Sequence, residues 1–510
     1  MKLFNEVQFF KPKKNKFDLS HEKKMTLKMG TITPILIQEV IPGDQFRINT
    51  EMLMRMQPML APIMHRVRIK TDYFFVPNRL VWDNWQKFIT GGEDGLSNNV
   101  APFISLNETT KGYFPKGGLA DFFEVPPISD VAAVTADQKI SALPFRAYQL
   151  IYNEFYRDQN LITEIPINKG DGAELYADYP ALLSLRKRAW EKDYFTSALP
   201  FAQKGGPVSL PIDPQVNYKP ISDVKLQNGT TPTDGDLLSV TGGVSVDALG
   251  ARIENIESIT NATTTINDLR VAVRLQEWLE KNARAGSRYI ESILAHFGVR
   301  SSDARLQRPE YLGGASNPMV ISEVLSTYAQ EDGSGLPQGN MTGHGISAGN
   351  VPGFKRNFEE HGFIIGLMTI LPKTAYQQGL PKQLLKFDKL EYAWPLFAQL
   401  GEQEVKQMEI YFDAGAANAV NEGTFGYQSR LAEYKFRTGT VHGDFRDSLA
   451  FWHMGRIFAS NPALNESFIN ADPTKRIFAV EDPAEDEILC QLYNSVSAMR
   501  PLPYFNNPTL

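Results

Sequence analysis

A chain of 510 residues, 42% apolar and 22% charged, has the material for a large core, and its single cysteine, Cys490, excludes intrachain disulfides and cysteine-rich zinc sites. The net charge of −6 is not that of a protein whose whole surface coats nucleic acid, and 32 prolines with 38 glycines favour turns and short strands over long helices. The opening MKLFNEVQFFKPKKNK has no signal-peptide apolar core and no run approaches a membrane span, so a soluble cytoplasmic product without membrane insertion is expected.

Residues 1–30 read as a basic N-terminal arm. Its first 28 residues hold eight lysines against three acids, a charge of +5 that leaves −11 for the remainder. Phe4, Phe9, Phe10 and Phe17 are interleaved with the lysines. Two readings stand. The lysines, best Lys11, Lys13, Lys14, Lys16, Lys23 and Lys24, contact nucleic-acid phosphates, with Phe17 an anchor in a hydrophobic pocket; or the arm packs along a neighbouring subunit with its lysines solvated.

Strands follow the arm. Phe46, Ile48, Thr50, Met52, Met54 and Met56 alternate with mostly polar neighbours after the turn Pro42-Gly43-Asp44. Within Gln57 to Phe88, Val67, Ile69, Thr71, Tyr73 and Phe75 point one way and Arg66, Arg68, Lys70, Asp72 and Phe74 the other. That pattern predicts a half-buried antiparallel strand, with Pro58 and Pro62 before it and Pro77 at its exit.

Ser141 to Asn160 predicts a helix with Pro144 in its first turn and a stripe of Phe145, Tyr148, Ile151, Tyr152 and Phe155. Asn267 to Phe297 predicts a second, capped by Asn267, stopped at Gly298 and broken at Gly286, with Val271, Leu275, Trp278 and Leu279 as its stripe. Between them, residues 205–268 hold one aromatic, Tyr218, and many acids, and read as an acidic, surface-exposed variable insertion. His361 to Leu371 suits a strand buried on both faces, Met408 to Phe412 a short strand, Ala432-Tyr434-Phe436 an alternating one, and Ile488 to Arg500 the last. The strands run through the whole chain and the helices lie in the insertions, which is the pattern of one large β-sandwich.

Enzyme motifs are missing: there is no phosphate-cradling glycine loop, no HExxH and no GxSxG. His442, Asp444 and Asp447, with His453 beyond, read as a polar turn followed by a packed histidine, and Asp234-Gly-Asp236 reads as a turn. No catalytic, cofactor-binding or metal-binding residue is assigned.

Several blocks resemble the major capsid protein of the microviruses, small icosahedral single-stranded DNA bacteriophages, and most closely the gokushovirus branch. They are Lys16-Phe-Asp-Leu-Ser-His21, Glu39-Val-Ile-Pro-Gly-Asp-Gln-Phe46, Leu60-Ala-Pro-Ile-Met-His65, Phe74-Phe-Val-Pro-Asn-Arg-Leu-Val-Trp82, Leu143-Pro-Phe-Arg-Ala-Tyr148, Tyr156-Arg-Asp-Gln-Asn160, Asp193-Tyr-Phe-Thr-Ser-Ala-Leu-Pro200, Asp303-Ala-Arg-Leu-Gln-Arg-Pro-Glu-Tyr311 and the tail Arg500 to Phe505. They lie in family order across nearly the full length, and the likeness lapses only in 205–268.

The resemblance implies a mainly β, eight-stranded antiparallel jelly roll with long, partly helical insertions. Its first part would be residues 31–204 and its second part, with the C-terminal tail, residues 269–510. It implies a structural, non-enzymatic role: 60 copies, assembled through pentamers in the bacterial cytoplasm, form a T=1 shell around circular single-stranded DNA. The implied partners are further copies, an internal scaffolding protein, a DNA-pilot minor protein, a small basic DNA-binding protein and a host surface receptor. The insertion 205–268 would form a protrusion at the threefold axes and serve in host attachment. The alternative is a phage receptor-binding or fibre-like β-sandwich protein without a shell role; such proteins are usually repeat-rich, and no repeat is present.

Overall fold

The period-two patterns become strands where each finds a ladder partner. The computed structural model describes residues 13–93, 95–206, 208, 215–218, 256–260, 266–286, 288–325 and 341–505. The chain divides into two units, residues 1–202 with 286–510, and residues 203–285.

In the first unit, two antiparallel sheets are built from β1 (Asn15–Asp18), β2 (His21–Leu27), β3 (Thr33–Val40), β4 (Gln45–Met56), β5 (Val67–Pro77), β6 (Glu310–Pro318), β7 (Val320–Leu325), β8 (Met341–Asn357), β9 (Gly362–Pro372) and β10 (Ile488–Arg500). One sheet runs β1–β10–β4–β8–β7, with β2 beside β1 on the same edge of β10; the other runs β6–β5–β9–β3. β3 to β10 thus place four strands in each sheet.

Ile35 and Val40 of β3, Val67, Ile69 and Tyr73 of β5, and Ile364 and Met368 of β9 pack in one cluster with Phe46, Ile48 and Met54 of β4 and Leu492 and Val496 of β10. Two sheets sharing one core make a sandwich. β8 bulges between Val351 and Phe354, and at Gly353 a Cβ would lie 1.5 Å from the Ile48 carbonyl oxygen, so no other residue fits there.

A polar chain crosses this core. The Tyr73 hydroxyl donates to Thr50 Oγ1 at 2.6 Å, Thr50 donates to Asn494 Oδ1 at 2.8 Å, and Asn494 Nδ2 donates to the Ile35 carbonyl at 3.2 Å. All three side chains are fully buried, and each finds a partner in a neighbouring strand or the facing sheet, so the chain locks strands and sheets in register.

The four-stranded sheet is covered on its other face too. Phe74 and Val76 of β5 and Ile365 and Leu367 of β9 join a second cluster with Phe145, Tyr148 and Ile151 of α1 (Leu143–Ile151), Trp82 and Tyr179. Pro144 lies in the first turn of α1, and a π-helical turn, Tyr152–Tyr156, extends the helix. A buried ion pair, Arg146 Nε to Glu174 Oε1 at 2.5 Å, holds this layer together, with Arg146 also donating to the carbonyls of Val81 and Gly170.

This second layer corrects the reading of β5 as half-buried throughout. Val67–Thr71 alternates, with Arg68 exposed and Lys70 partly so, but Asp72–Pro77 is buried on both faces. β9 is buried on both faces, as its apolar run predicts, and β4 and β10 match their predicted spans. Two predicted strands are helical turns instead: Gln407–Ile410 is a short α-helix and Ala432–Tyr434 a 3-10 turn. Runs this short have no secure period, and neither segment finds a ladder partner. The segment around His442 is a 3-10 turn, Gly443–Arg446, and His453 is buried beyond it, its Nε2 at 2.7 Å from the Phe445 carbonyl.

In the second unit Gln215–Tyr218 pairs antiparallel with Ile256–Thr260, and α2 (Ile266–Ala285) is a 20-residue helix. Asn267 lies inside the first turn of α2 rather than capping it. Val271, Leu275 and Trp278 of the predicted stripe are exposed. Most of residues 205–268, Asp234 and Asp236 included, lies outside the described residues. Back in the first unit, Gly286 has φ +103°, the helix resumes as α3 (Tyr289–Phe297), and Gly298 at φ +69° closes it, as the sequence predicts.

Candidate functional site

The lysine-rich segment is strand from Asn15 onward. β1 and β2 lie end to end along β10, in register Lys16↔Met499 and Lys24↔Gln491. Both lysines therefore project from the outer face of the six-stranded sheet, the face turned away from the sandwich core. The same ladders bring Arg47 and Arg55 of β4 and Lys355 of β8 to that face, along with the acids Asp18, Glu22 and Glu51. Tyr493 and Leu489 stand exposed between them.

The lysines singled out in the sequence separate by geometry. Lys11 lies outside the described residues. Lys13 and Lys16 are exposed. The Lys14 ammonium donates to the Gly43 carbonyl. Lys24 is exposed, 3.5 Å from Glu22. Lys23 is one residue out of phase, so it points to the opposite face and donates to the Phe122 carbonyl at 2.6 Å. Burial pulls its pKa below the ordinary lysine value, opposed by the charges of Glu124 and Asp121. Phe17 stacks on Tyr504 with ring centroids 5.8 Å apart, tying β1 to the C-terminal tail.

Beside β2 lies a cleft of about 860 Å³ whose lining includes Lys23, Lys24, Lys28, Arg55 and Lys116, drawn from separate chain segments, with Asp121 and Asp486 as its acids. Both acids are engaged: Asp121 accepts from the Gly117 backbone N–H at 2.8 Å and Asp486 from the Thr26 hydroxyl. Lys28 donates to the Pro483 carbonyl at 2.9 Å. Arg55 and Lys116 have no hydrogen-bond or ion-pair partner among the described residues, leaving two cations available to an anion. Sequence reasoning missed Lys28, Arg55 and Lys116 as a group. Arg55 carries a signal, as a base in an apolar alternation, whereas Lys116 lies in a segment with no period at all.

No group of three or more histidine, cysteine, aspartate or glutamate side chains converges as metal ligands among the described residues. No helix among them is long and apolar enough to cross a membrane. Cys490 is buried, and burial pushes its thiol up to about 12, which makes it a poor nucleophile.

Comparison with known proteins covers the chain almost completely. A family model described as "Capsid protein (F protein)" matches residues 5–510. The chain is 37% identical to capsid protein VP1 of Bdellovibrio phage phiMH2K and 35% identical to that of Chlamydia phage 1, in each case over 99% of this chain and 97% of the relative. It is 30% identical to capsid protein VP1 of Spiroplasma virus 4, over 98% of this chain and 95% of that protein. An antiparallel sandwich with helical insertions, a basic sheet edge and a match of this extent lead to one conclusion: the chain belongs to the phage capsid protein (F protein) family.

Proposed function

We propose that this chain is the shell-forming subunit of a phage virion, its sandwich a jelly roll and its assembly a T=1 shell of 60 copies built through pentamers. The full-length match to capsid proteins carries the reading, and the four-plus-four arrangement of β3 to β10 is compatible with a jelly roll. The chain has no enzymatic role, since the family is structural. The cargo is circular single-stranded DNA. The further partners are an internal scaffolding protein, a DNA-pilot protein and a small basic DNA-binding protein, the last suited to a subunit of net charge −6. The insertion 205–268 forms the threefold protrusion and contacts the host receptor.

Electron microscopy of the expressed chain tests the shell: closed particles of one diameter are expected, and a stable monodisperse monomer at high concentration overturns the reading.

Genome contact falls on the outer face of the six-stranded sheet and its cleft. Lys13, Lys16 and Lys24 supply exposed ammonium groups, Arg55 and Lys116 the unpaired cations, and Tyr493 a ring for base stacking. Lys11 belongs to the same basic run, and Lys14 and Lys23 add charge to it while donating to the Gly43 and Phe122 carbonyls. Charge reversal at Lys13 and Lys16 together with Arg55→Glu and Lys116→Glu lowers packaged DNA, read as the absorbance ratio of purified particles, more than it lowers shell yield. Equal loss of both makes the basic edge a purely structural contact.

A further inference from the structure

The segment Leu384–Leu400, sequence LLKFDKLEYAWPLFAQL, has the composition of a core and the position of a surface. Leu384, Phe387, Leu390, Tyr392, Trp394, Leu396 and Leu400 are all exposed, Phe387 at 89% and Leu396 at 83%. Their exposed area is on the order of 700–800 Å², about what one partner contributes to a standard stable interface. Monomeric proteins rarely leave an apolar patch this large in water.

The patch is held, not loose. Three 3-10 turns, Lys382–Leu384, Lys389–Glu391 and Pro395–Phe397, shape its backbone. Glu391 accepts from the backbone N–H groups of Phe387 and Asp388 at 2.5 and 3.0 Å, and Trp394 Nε1 donates to the Lys389 carbonyl at 2.8 Å. These three N–H donors are thus satisfied within the segment, while the apolar side chains stand exposed. Underneath, Lys386 is buried against Glu433 at 2.9 Å, its ammonium 3.9 Å from the Tyr434 ring centroid and 5.9 Å from that of Tyr392. The exposed Tyr434 and the segment's Tyr392 therefore share one cation, and the patch continues onto the body of the fold. A surface pre-shaped in this way loses little entropy on docking.

We propose that Leu384–Leu400 is a docking strap for a second copy of this chain. The inference rests on the shell-forming reading above: a closed shell surrounds each subunit with copies of itself, and an apolar patch of full interface size calls for an apolar partner surface. In a ring the contact is heterologous, so the strap meets a different surface of the neighbouring copy.

The test uses the full chain. Because Cys490 is buried, Phe387→Cys introduces the one accessible thiol among the described residues. Maleimide labels the F387C protein rapidly as dissociated subunits, and labelling in particles slows by about tenfold or more, as for a site closed by a stable contact. A benzophenone maleimide attached at the same position yields an adduct of twice the chain mass. Equal labelling in particles and subunits overturns the proposal, and so does an adduct only to a different protein. The F387S/L396S double variant keeps the wild-type urea midpoint and forms no closed particles; wild-type particle yield from it overturns the proposal while leaving the shell reading intact. Failure of the wild-type chain to form particles defeats the shell reading, and the strap with it.

Discussion

β9 and the strap Leu384–Leu400 follow each other closely in the chain and are both rich in apolar residues, yet they meet opposite environments. β9 is buried on both faces, by the sandwich core on one side and the helical layer around α1 on the other. The strap buries almost nothing but the Lys386 side chain. The difference lies in backbone partners. β9 runs between β5 and β3 with every position paired, so its side chains are forced into two preformed layers. The strap forms no ladder and leaves its apolar side chains exposed, for another molecule to cover. Apolar composition therefore reports that a segment will be covered, and pairing decides whether the same chain does the covering.

The contrast can be broken from either side. The largest effect is expected from Arg146→Met, which strands the buried Glu174 carboxylate in the layer covering β9. The loss should be about 3–5 kcal/mol of subunit stability by urea denaturation, and a loss under about 1 kcal/mol would mean that β9 does not need that layer.

Next comes Lys386→Met, which leaves Glu433 buried with only the 2.7 Å hydrogen bond from Gln403. About 3 kcal/mol should be lost, together with faster proteolysis between Leu384 and Leu400. The same pair sets a pH dependence. Burial pushes the Glu433 carboxyl up, but hydrogen bonds from Lys386 and Gln403 outweigh it and hold its pKa below the ordinary 4.5. A carboxyl depressed in the fold stabilises above 4.5 and loses that contribution as pH falls through its folded value. Protease sensitivity of the strap should thus rise on acidification in the wild type, and a flat profile would remove the ion pair from the account. The smallest effect on the subunit is that of F387S/L396S, within about 0.5 kcal/mol because nothing is unburied, although assembly is abolished.

Much of the frame was legible before the structure. β4, β9 and β10 announce themselves by length and period, and Gly286 and Gly298 by their freedom to adopt positive φ. The basic edge was legible as charge but not as geometry. Lysines every few residues without a dominant apolar face hide a strand whose one ladder partner, β10, lies more than 450 residues away. The same distance hides the cleft, since Arg55, Lys116 and Asp486 are neighbours only after folding. Met408–Phe412 and Ala432–Phe436 show the converse: a local alternation with no partner waiting becomes a turn.

By itself, the sequence determined the long strands β4, β9 and β10, which glycines would end helices and, through its resemblance, its family. Those properties are local, or are written in long co-linear blocks. Only the tertiary structure decided that Phe74 faces a second core, that Thr50 and Asn494 complete a buried polar chain with Tyr73, that Lys23 is tied down while Lys16 and Lys24 are not, and that the strap is bare. Each of these depends on what stands opposite a side chain across space, which a one-dimensional pattern does not encode.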